Sequence, residues 1–134
     1  MIDAADRDRF DQVKKEMEKM ANVYQFKYKD VQGEDCDILF GEVNQEKVNR
    51  LYKKEFSYKL KDKKYEGLHD EQITEEIFVL FNMDNRPNGK VNRSISVGDI
   101  VEIDGIAYVC ASFGFEKSDL DLSKVQDGDS YKIY

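Results

Sequence analysis

The sequence predicts an α+β fold, in which about three helices pack against a mainly antiparallel sheet built from β-hairpins. The clearest observation is at residues 94–115, where two runs rich in β-branched and aromatic side chains flank Asp104-Gly105. This dipeptide favours the two-residue type I′ turn of a hairpin. Apolar residues at helical spacing indicate helices in 1–21 and 70–81. A length of 134 residues fits a single domain that buries a core without metals or disulfides.

The N-terminal helix, assigned to residues 1–21, begins at Ala4, because the Asp3 side chain can cap its first amide groups. Its apolar stripe has the period of a helix and consists of Phe10, Val13, Met17, Met20 and Ala21. A helix that packs on the sheet is the plain interpretation, and a partner-binding helix is the alternative.

A second hairpin is predicted between residues 23 and 43. Apolar and polar side chains alternate from Val23 to Val31, as in a half-buried strand. Residues 32–35 are polar and include a glycine, which indicates a turn. Residues 36–43 can then return as a short strand.

Two more helices follow. Asn44 is a good cap for a short helix with Val48 and Leu51 on its apolar face. Asp70 is the expected cap of the helix in 70–81, which carries many apolar residues and should lie across the sheet. Its apolar side is formed by Ile73, Ile77, Phe78, Leu80 and Phe81.

The remaining segments are connections. Residues 82–92 contain the only proline and an Asn-Gly pair, so we expect an exposed connector, with a recognition loop as the alternative. Residues 116–129 are acidic and end in a predicted turn at 127–129. Residues 130–134 can add a final edge strand. The chain shows no repeat or linker, which favours one domain over 1–134.

Charge limits the choice of partner. The 21 basic and 28 acidic residues give a net charge of -7, which opposes general affinity for nucleic acid or an anionic membrane and fits a partner with a basic face. Residues 50–64 are the exception, with seven cations against two carboxylates and tyrosines interleaved among them. Basic and aromatic residues together can follow a phosphate backbone and stack bases. A lysine-rich edge strand or loop is the plainer interpretation.

Motifs for catalysis or cofactor binding are missing. His69 lies in a predicted turn without a nearby nucleophile motif, and Cys36 and Cys110 lack metal-ligand spacing. No phosphate-binding glycine pattern occurs, and a partial calcium loop at Asp119 lacks its glycine and glutamate. Asp99 follows a glycine, which suggests backbone hydrogen bonds rather than acid catalysis. We expect a non-enzymatic protein without cofactor or metal. An enzyme built around Cys110 or His69 is a third hypothesis.

The N-terminal sequence is charged and lacks the apolar region of a signal peptide, and no apolar stretch approaches the length of a membrane span. We therefore expect a cytoplasmic protein that does not bind membranes. The two cysteines fit a reducing compartment, where they would be small buried apolar side chains.

The central hairpin also resembles the closing signature of the YodL-like family. Residues 94–101 read Ser-Ile-Ser-Val-Gly-Asp-Ile-Val, and residues 108–115 read Tyr-Val-Cys-Ala-Ser-Phe-Gly-Phe. The family pattern is similar, with Ser-Leu-Ser-Val-Ser-Asp-Val-Val followed by Tyr-Tyr-x-x-Ser-Phe-Gly-Phe. This chain departs from it at Gly98, where the family usually has serine, and in its shorter turn. The resemblance covers about residues 23–117, with the N-terminal helix and the acidic tail 118–134 outside it.

The resemblance implies a domain found in small proteins of Gram-positive bacteria, often on plasmids, conjugative elements and phages. It supplies no activity, cofactor or site residue. The motif residues also have a structural explanation, in which Ser96 and Asp99 bond the start of the hairpin. Phe113 and Phe115 would then pack beneath the helix in 70–81.

Two hypotheses follow. The first is a non-enzymatic accessory or inhibitor protein of a mobile element, which contacts a host or defence protein through acidic groups, as anti-CRISPR and antirestriction proteins do. Its candidate partner-binding residues are Asp99, Glu102, Asp104, Asp119 and Asp121. The alternative is a nucleic-acid-binding accessory module that uses the segment 50–65. Its candidate residues are Arg50, Lys53, Lys54, Tyr58, Lys59, Lys61, Lys63 and Lys64, with Tyr52 and Tyr65 as further stacking groups.

Overall fold

The computed structural model of the chain describes residues 19–61, 63–86 and 93–134. Within these ranges, six strands form one sheet, connected by two α-helices and three 3-10 helices. The strands are β1 (Met20–Gln25), β2 (Lys53–Lys59), β3 (Ile100–Ile103), β4 (Ile106–Ala111), β5 (Gly114–Ser118) and β6 (Asp127–Ile133). The α-helices are α1 (Gln45–Leu51) and α2 (Asp70–Leu80), and the 3-10 helices are Tyr28–Asp30, Gly33–Phe40 and Lys63–Tyr65.

The strands lie in the order β5-β4-β3-β1-β2-β6. Every neighbouring pair is antiparallel except β2 and β6, which run parallel. This topology confirms the predicted α+β fold with a mainly antiparallel sheet. The strands β5 and β6 are its two edges, and residues 119–126 connect them across one face, where Leu122 is buried.

The central hairpin is confirmed. Asp104 and Gly105 have φ angles of 51° and 82°, and Ile103 pairs with Ile106 across the turn. Positive φ at both central positions is the conformation that a type I′ turn requires. A second tight turn, at residues 112–113, joins β4 to β5.

The other predicted hairpin is wrong. Residues 33–40 form a 3-10 helix instead of a strand, and β1 ends at Gln25. Both sides of β1 are occupied by strands distant in sequence, β2 and β3, so no position beside it is left for a returning strand. The apolar triplet 38–40 that suggested a strand buries only Ile38. Gly41, with a φ of 89°, ends the helix in the left-handed conformation.

The end of the predicted N-terminal helix is also different. Met20 and Ala21 are the first residues of β1, and Ala21 is buried because it pairs within the sheet. Residues 1–18 of that predicted helix lie outside the described residues.

Apolar side chains cover both faces of the sheet. On one face, α2 crosses the strands, and the buried residues there include Val23, Phe56, Ile73, Ile77, Phe81 and Val101. The opposite face is covered by α1, the 3-10 helix at 33–40 and residues 119–126, which we call the crossing segment. Its buried residues include Tyr24, Ile38, Val48, Ile100 and Leu122. Since both faces are closed, the accessible surfaces of interest lie at the ends and edges of the sheet.

The helix caps agree with the sequence to within one residue. The Asn44 side chain accepts a backbone amide hydrogen bond at 2.9 Å, which confirms it as the cap of α1. The predicted cap of α2, Asp70, is instead its first residue, and His69 precedes the helix. Gln72 Oε1 accepts from the His69 amide at 3.0 Å, while the Asp70 carboxylate accepts from the Tyr108 hydroxyl at 2.8 Å.

The C-terminal edge strand is confirmed, although it is longer than predicted. It spans Asp127–Ile133, so the turn predicted at 127–129 is wrong. Parallel pairing with β2 starts at Lys54, whose amide donates to the Gln126 carbonyl at 2.9 Å. The connector predicted at 82–92 is described only as far as residue 86.

Gly98 gives a test of this packing. Its φ is 94°, and a methyl group on its Cα would overlap the Ile38 backbone carbonyl. We expect Gly98→Ala to lower the free energy of unfolding by roughly 3 kcal/mol or more, because positive-φ strain adds to displacement of the backbone. Urea denaturation followed by circular dichroism measures the change.

Gly105→Ala is the matched control. Gly105 also has positive φ, at 82°, but open space surrounds its Cα. We expect this substitution to cost about 1–2 kcal/mol from backbone strain alone. Equal losses in the two variants would contradict the close approach at Gly98.

Candidate interaction surface

Asp99 anchors the end of the sheet at which β3 begins. Its carboxylate is fully buried and accepts hydrogen bonds from Arg93 Nη2 at 2.6 Å and Nη1 at 2.7 Å. The Ser96 amide and Gln25 Nε2 donate to it at 2.8 and 3.0 Å. Burial raises the pKa of Asp99, while Arg93, Ser96 and Gln25 oppose that rise. We call these four residues the Asp99 clamp. The predicted backbone hydrogen bond is confirmed, but burial removes Asp99 from any partner-facing surface.

Backbone hydrogen bonds tie β4 to the same place. The Gly98 amide donates to the Cys110 carbonyl at 2.8 Å, and the Cys110 amide donates to the Asp99 carbonyl at 2.8 Å. The buried Tyr52 hydroxyl donates to the Gly98 carbonyl at 2.5 Å. The loop before β3, the start of β3 and the end of β4 are therefore held together as one rigid unit.

Exposed aromatic side chains lie on this rigid unit. Phe113, in the turn between β4 and β5, is fully exposed, and Phe40 is 74% exposed at the end of its 3-10 helix. The two are brought to the same end of the sheet because Gly41 lies against Ala111, with only 3.4 Å between the position of a Gly41 Cβ and the Ala111 Cα. Leu39 beside them is 36% exposed. We call Leu39, Phe40 and Phe113 the aromatic end.

The aromatic end corrects one prediction. Phe115 packs edge-on against Phe78 of α2, with ring centroids 6.2 Å apart, so it does lie beneath that helix. Phe113 does not, because it lies in the tight turn between the paired residues Ala111 and Gly114 and is fully exposed. Three exposed carboxylates are close to it: Glu42 follows Gly41, Glu116 is two residues beyond Gly114, and Glu75 Oε1 lies 3.0 Å from the position of a Gly114 Cβ. Asp37 is exposed in the same 3-10 helix as Phe40, but it lies 3.8 Å from Lys47 Nζ.

The predicted acidic residues are not gathered in one place. Apart from the buried Asp99, Glu102 is half-buried and accepts from Asn22 Nδ2 at 3.0 Å. Asp104 is exposed and lies 4.0 Å from Lys19 Nζ. Asp119 is exposed and follows Ser118, whose partner Ala107 is next to the β3–β4 turn. Asp104 and Asp119 thus lie at the sheet end opposite to the aromatic end.

Asp121 is exposed but has a local structural role. Its Oδ1 accepts from the Ser123 amide and hydroxyl at 2.9 and 2.6 Å, and those hydrogen bonds lower its pKa. Gln45 at the start of α1 bonds the Asp121 backbone through both amide atoms, at 2.7 and 2.8 Å. The residue therefore fixes the crossing segment against α1.

The tyrosines of the basic segment 50–65 are not exposed in the way that stacking on bases requires. Tyr52 and Tyr65 are buried, and Tyr58 is half-buried against Phe81, with ring centroids 5.5 Å apart. The plainer interpretation was an edge strand or loop. Its strand, β2, is not at an edge, because it lies between β1 and β6, while Leu60 and Lys61 lie in a connection after β2.

Two of its cations are engaged with neighbouring residues. Arg50 bonds Asp35 through both terminal nitrogens at 2.7 and 2.8 Å, and Lys54 lies 3.4 Å from Asp127. The side chain of Lys63 lies outside the described part of the chain. The exposed cations in this segment are Arg50, Lys53, Lys59, Lys61 and Lys64.

Cys110 and His69, the two candidates for catalysis, differ in exposure: the cysteine is buried and the histidine is exposed. Burial raises the pKa of the Cys110 thiol to about 12, so the nucleophilic thiolate is disfavoured at neutral pH. His69 is exposed beside an open groove of about 750 Å³, which Asp70, Tyr108 and Lys117 also line. Within the described ranges, no group of three or more His, Cys, Asp or Glu side chains is placed to hold a metal ion.

The fold and this surface define a small α+β domain that presents exposed aromatic side chains on a rigid end. The model of the YodL-like domain matches residues 7–120, which is most of the chain. The chain therefore belongs to the YodL-like family, as the hairpin signature predicted. No curated protein and no solved structure gives a significant match. In the part of the chain that the structure describes, no helix has the length and apolar character to span a membrane.

The two thiols should differ in reactivity. Cys36 is half-buried, whereas Cys110 is buried and its pKa is raised to about 12. With Ellman's reagent at pH 8, we expect Cys36 to react at least about tenfold faster than Cys110, which should react fully only after unfolding. The Cys36→Ser variant should lack the fast phase. Equal rates would contradict the burial of Cys110 and would favour the enzyme hypothesis.

Proposed function

We propose that this chain is a non-enzymatic protein-interaction module that binds its partner through the aromatic end. One observation supports this more than any other: Phe113 is fully exposed on a tight turn that is joined to the Asp99 clamp through β4. Exposure of a large apolar side chain to water is unfavourable, and its burial in a partner is favourable. Phe40, at 74% exposure, extends the same surface.

The expected energy is sufficient for a binding hot spot. Complete burial of a phenylalanine side chain contributes about 1.5–3 kcal/mol. Because the turn is already held by strands β4 and β5, its backbone loses little conformational freedom on binding. A few rigid aromatic anchors commonly provide most of the affinity of a protein interface.

Charge indicates the kind of partner. Glu42, Glu75 and Glu116 are exposed close to Gly41 and Gly114 at the aromatic end, and the whole chain has a net charge of -7. A partner with an apolar pocket and a basic rim would complement both features. We propose a cytoplasmic host or defence protein with a basic functional surface, which this chain would inhibit or modify as anti-CRISPR and antirestriction proteins do. The proposed origin in a mobile element rests on the hairpin resemblance.

The first test is capture of a partner from a lysate of the native host with the tagged chain, after nuclease treatment and at two salt concentrations. We expect a protein that survives nuclease, and we expect Phe113→Ala to weaken its binding at least about tenfold. Val79→Ala is the matched control, since Val79 is also exposed but lies on the outer side of α2. Equal loss in both variants, or none in Phe113→Ala, would contradict the proposal.

Charge reversal distinguishes the two ends of the sheet. We expect Glu42→Lys with Glu116→Lys to weaken capture, because both carboxylates lie near the aromatic end. Asp104→Lys with Asp119→Lys should leave capture nearly unchanged. Loss confined to the second pair would place the interface at the opposite end, as the acidic-surface hypothesis first predicted. Nuclease-sensitive capture that depends on Lys59 and Lys61 would favour the nucleic-acid alternative.

A further inference from the structure

One side of strand β5 is open to pairing. The strand stands first in the order of the sheet, so β4 pairs with one side of it and, among the described residues, no strand pairs with the other. Edge strands present backbone amides and carbonyls to which a further strand can add. Of the features that commonly block such edges, β5 has a lysine, Lys117, but neither a proline nor a shift of register against β4.

The backbone of β5 directs two of its residues outward. The Cys110 amide donates to the Asp99 carbonyl, and the Cys110 carbonyl accepts from the Gly98 amide, both at 2.8 Å. Both groups of Cys110 therefore point away from β5. Directly opposed residues of an antiparallel pair exchange either two hydrogen bonds or none, so Phe115, the partner of Cys110, points its amide and carbonyl away from β4. The pattern repeats every second residue, so Lys117 does the same.

A groove adjoins this edge strand. It has a volume of about 750 Å³, with Lys117 of β5 on one side and residues 68–72, around the start of α2, on the other. Phe115 packs against Phe78 of the same helix, farther along β5. An extended segment that lies beside an edge strand takes main-chain hydrogen bonds from the strand, while neighbouring pockets receive its alternate side chains. The edge and the groove together fit such a segment.

Carboxylates outnumber cations along this edge. Glu116 is exposed in the middle of β5, and Asp119 is exposed directly after its end. Glu75 Oε1 lies 3.0 Å from the position of a Cβ on the first residue of β5, and the exposed Glu71 lines the groove. Within β5 itself, Lys117 is the one cation. This balance of charge favours a basic segment and opposes an acidic one.

A second copy of this chain fits the edge poorly. When two β5 strands pair antiparallel with the greatest overlap, Glu116 lies opposite its counterpart, and like charges in directly opposed positions are destabilising. The net charge of -7 on each copy adds to the repulsion. The occupant that fits best is therefore a different protein.

We propose that the partner adds an extended basic segment to β5, with an arginine or lysine opposite Glu116 and hydrogen bonds to the outward backbone groups of Phe115 and Lys117. This inference rests on the proposed interaction function and names the part of the partner that is bound. Phe113 lies in the turn that leads directly into β5, so the aromatic end and this edge form one continuous surface.

The test is a selection of random displayed peptides against the full chain, followed by affinity measurements on the synthesised peptides. We expect the selected peptides to be rich in lysine and arginine and to bind Lys117→Pro at least about tenfold more weakly. Proline at this position removes an outward amide and leaves the hydrogen bonds between β4 and β5 in place. Selection of acidic peptides, or of none, would overturn the proposal.

Two variants show whether the loss comes from the missing amide. Lys117→Ala removes the charge but keeps the amide, so a basic peptide should bind it equally or more tightly. Ile133→Pro places a proline on the opposite edge strand, β6, and should bind normally. Circular dichroism checks the fold of each variant. Equal affinity of Lys117→Pro and Lys117→Ala for the selected peptides would contradict pairing at this edge.

Amide hydrogen exchange followed by NMR tests the edge without a variant. In the free chain, the amides of Phe115 and Lys117 should exchange faster than those of Glu116 and Ser118, which bond to β4. A bound peptide should slow the first pair at least about tenfold and leave the second pair nearly unchanged. Protection of the first pair in the free chain, or no added protection on binding, would overturn the proposal.

The edge proposal and the aromatic-end proposal can fail separately. Loss of lysate capture in Phe113→Ala with unchanged capture in Lys117→Pro would overturn the edge alone. Loss in Lys117→Pro with unchanged capture in Phe113→Ala would support the edge and overturn the aromatic end as the main contact. Self-association of the chain that Lys117→Pro abolishes would assign the edge to a second copy and overturn the choice of a basic partner.

Discussion

The ion pair between Asp99 and Arg93 is the interaction on which the rest of the structure depends. Breaking a buried pair of this kind by removing one partner typically costs about 3–5 kcal/mol, since a buried charge is left without compensation. Here the pair also joins elements that are distant in sequence, because Gln25 of β1 and the loop before β3 share the same carboxylate. The aromatic end is joined to this clamp through β4.

Local chemistry made part of this fold predictable. The Asp104-Gly105 turn, the Asn44 cap and the apolar face of α2 depend on residues close together in the sequence, and each was predicted correctly or within one position. The hairpin predicted at 23–43 was wrong because the apolar triplet 38–40 is compatible with a strand or with one turn of helix. Only the pairing of β1 with two distant strands decides between them.

The candidate surfaces were harder to predict for the same reason. The sequence indicated that Asp99 would bond the backbone, because a glycine precedes it, but it gave no sign of the partner Arg93. Phe113 is of a residue type that is usually buried in a core, and its exposure follows from the tight turn between β4 and β5. A turn signal around Phe113 was available from Ser112 and Gly114 and would have been the one useful clue.

The clamp also limits the ligands that Arg93 can bind. An exposed arginine would ordinarily attract phosphate or carboxylate, because its planar group forms paired hydrogen bonds with such ligands. In this structure, both terminal nitrogens of Arg93 already donate to the Asp99 carboxylate. The paired hydrogen bonds of this arginine are therefore directed into the fold, where they fix the loop before β3 to the start of that strand.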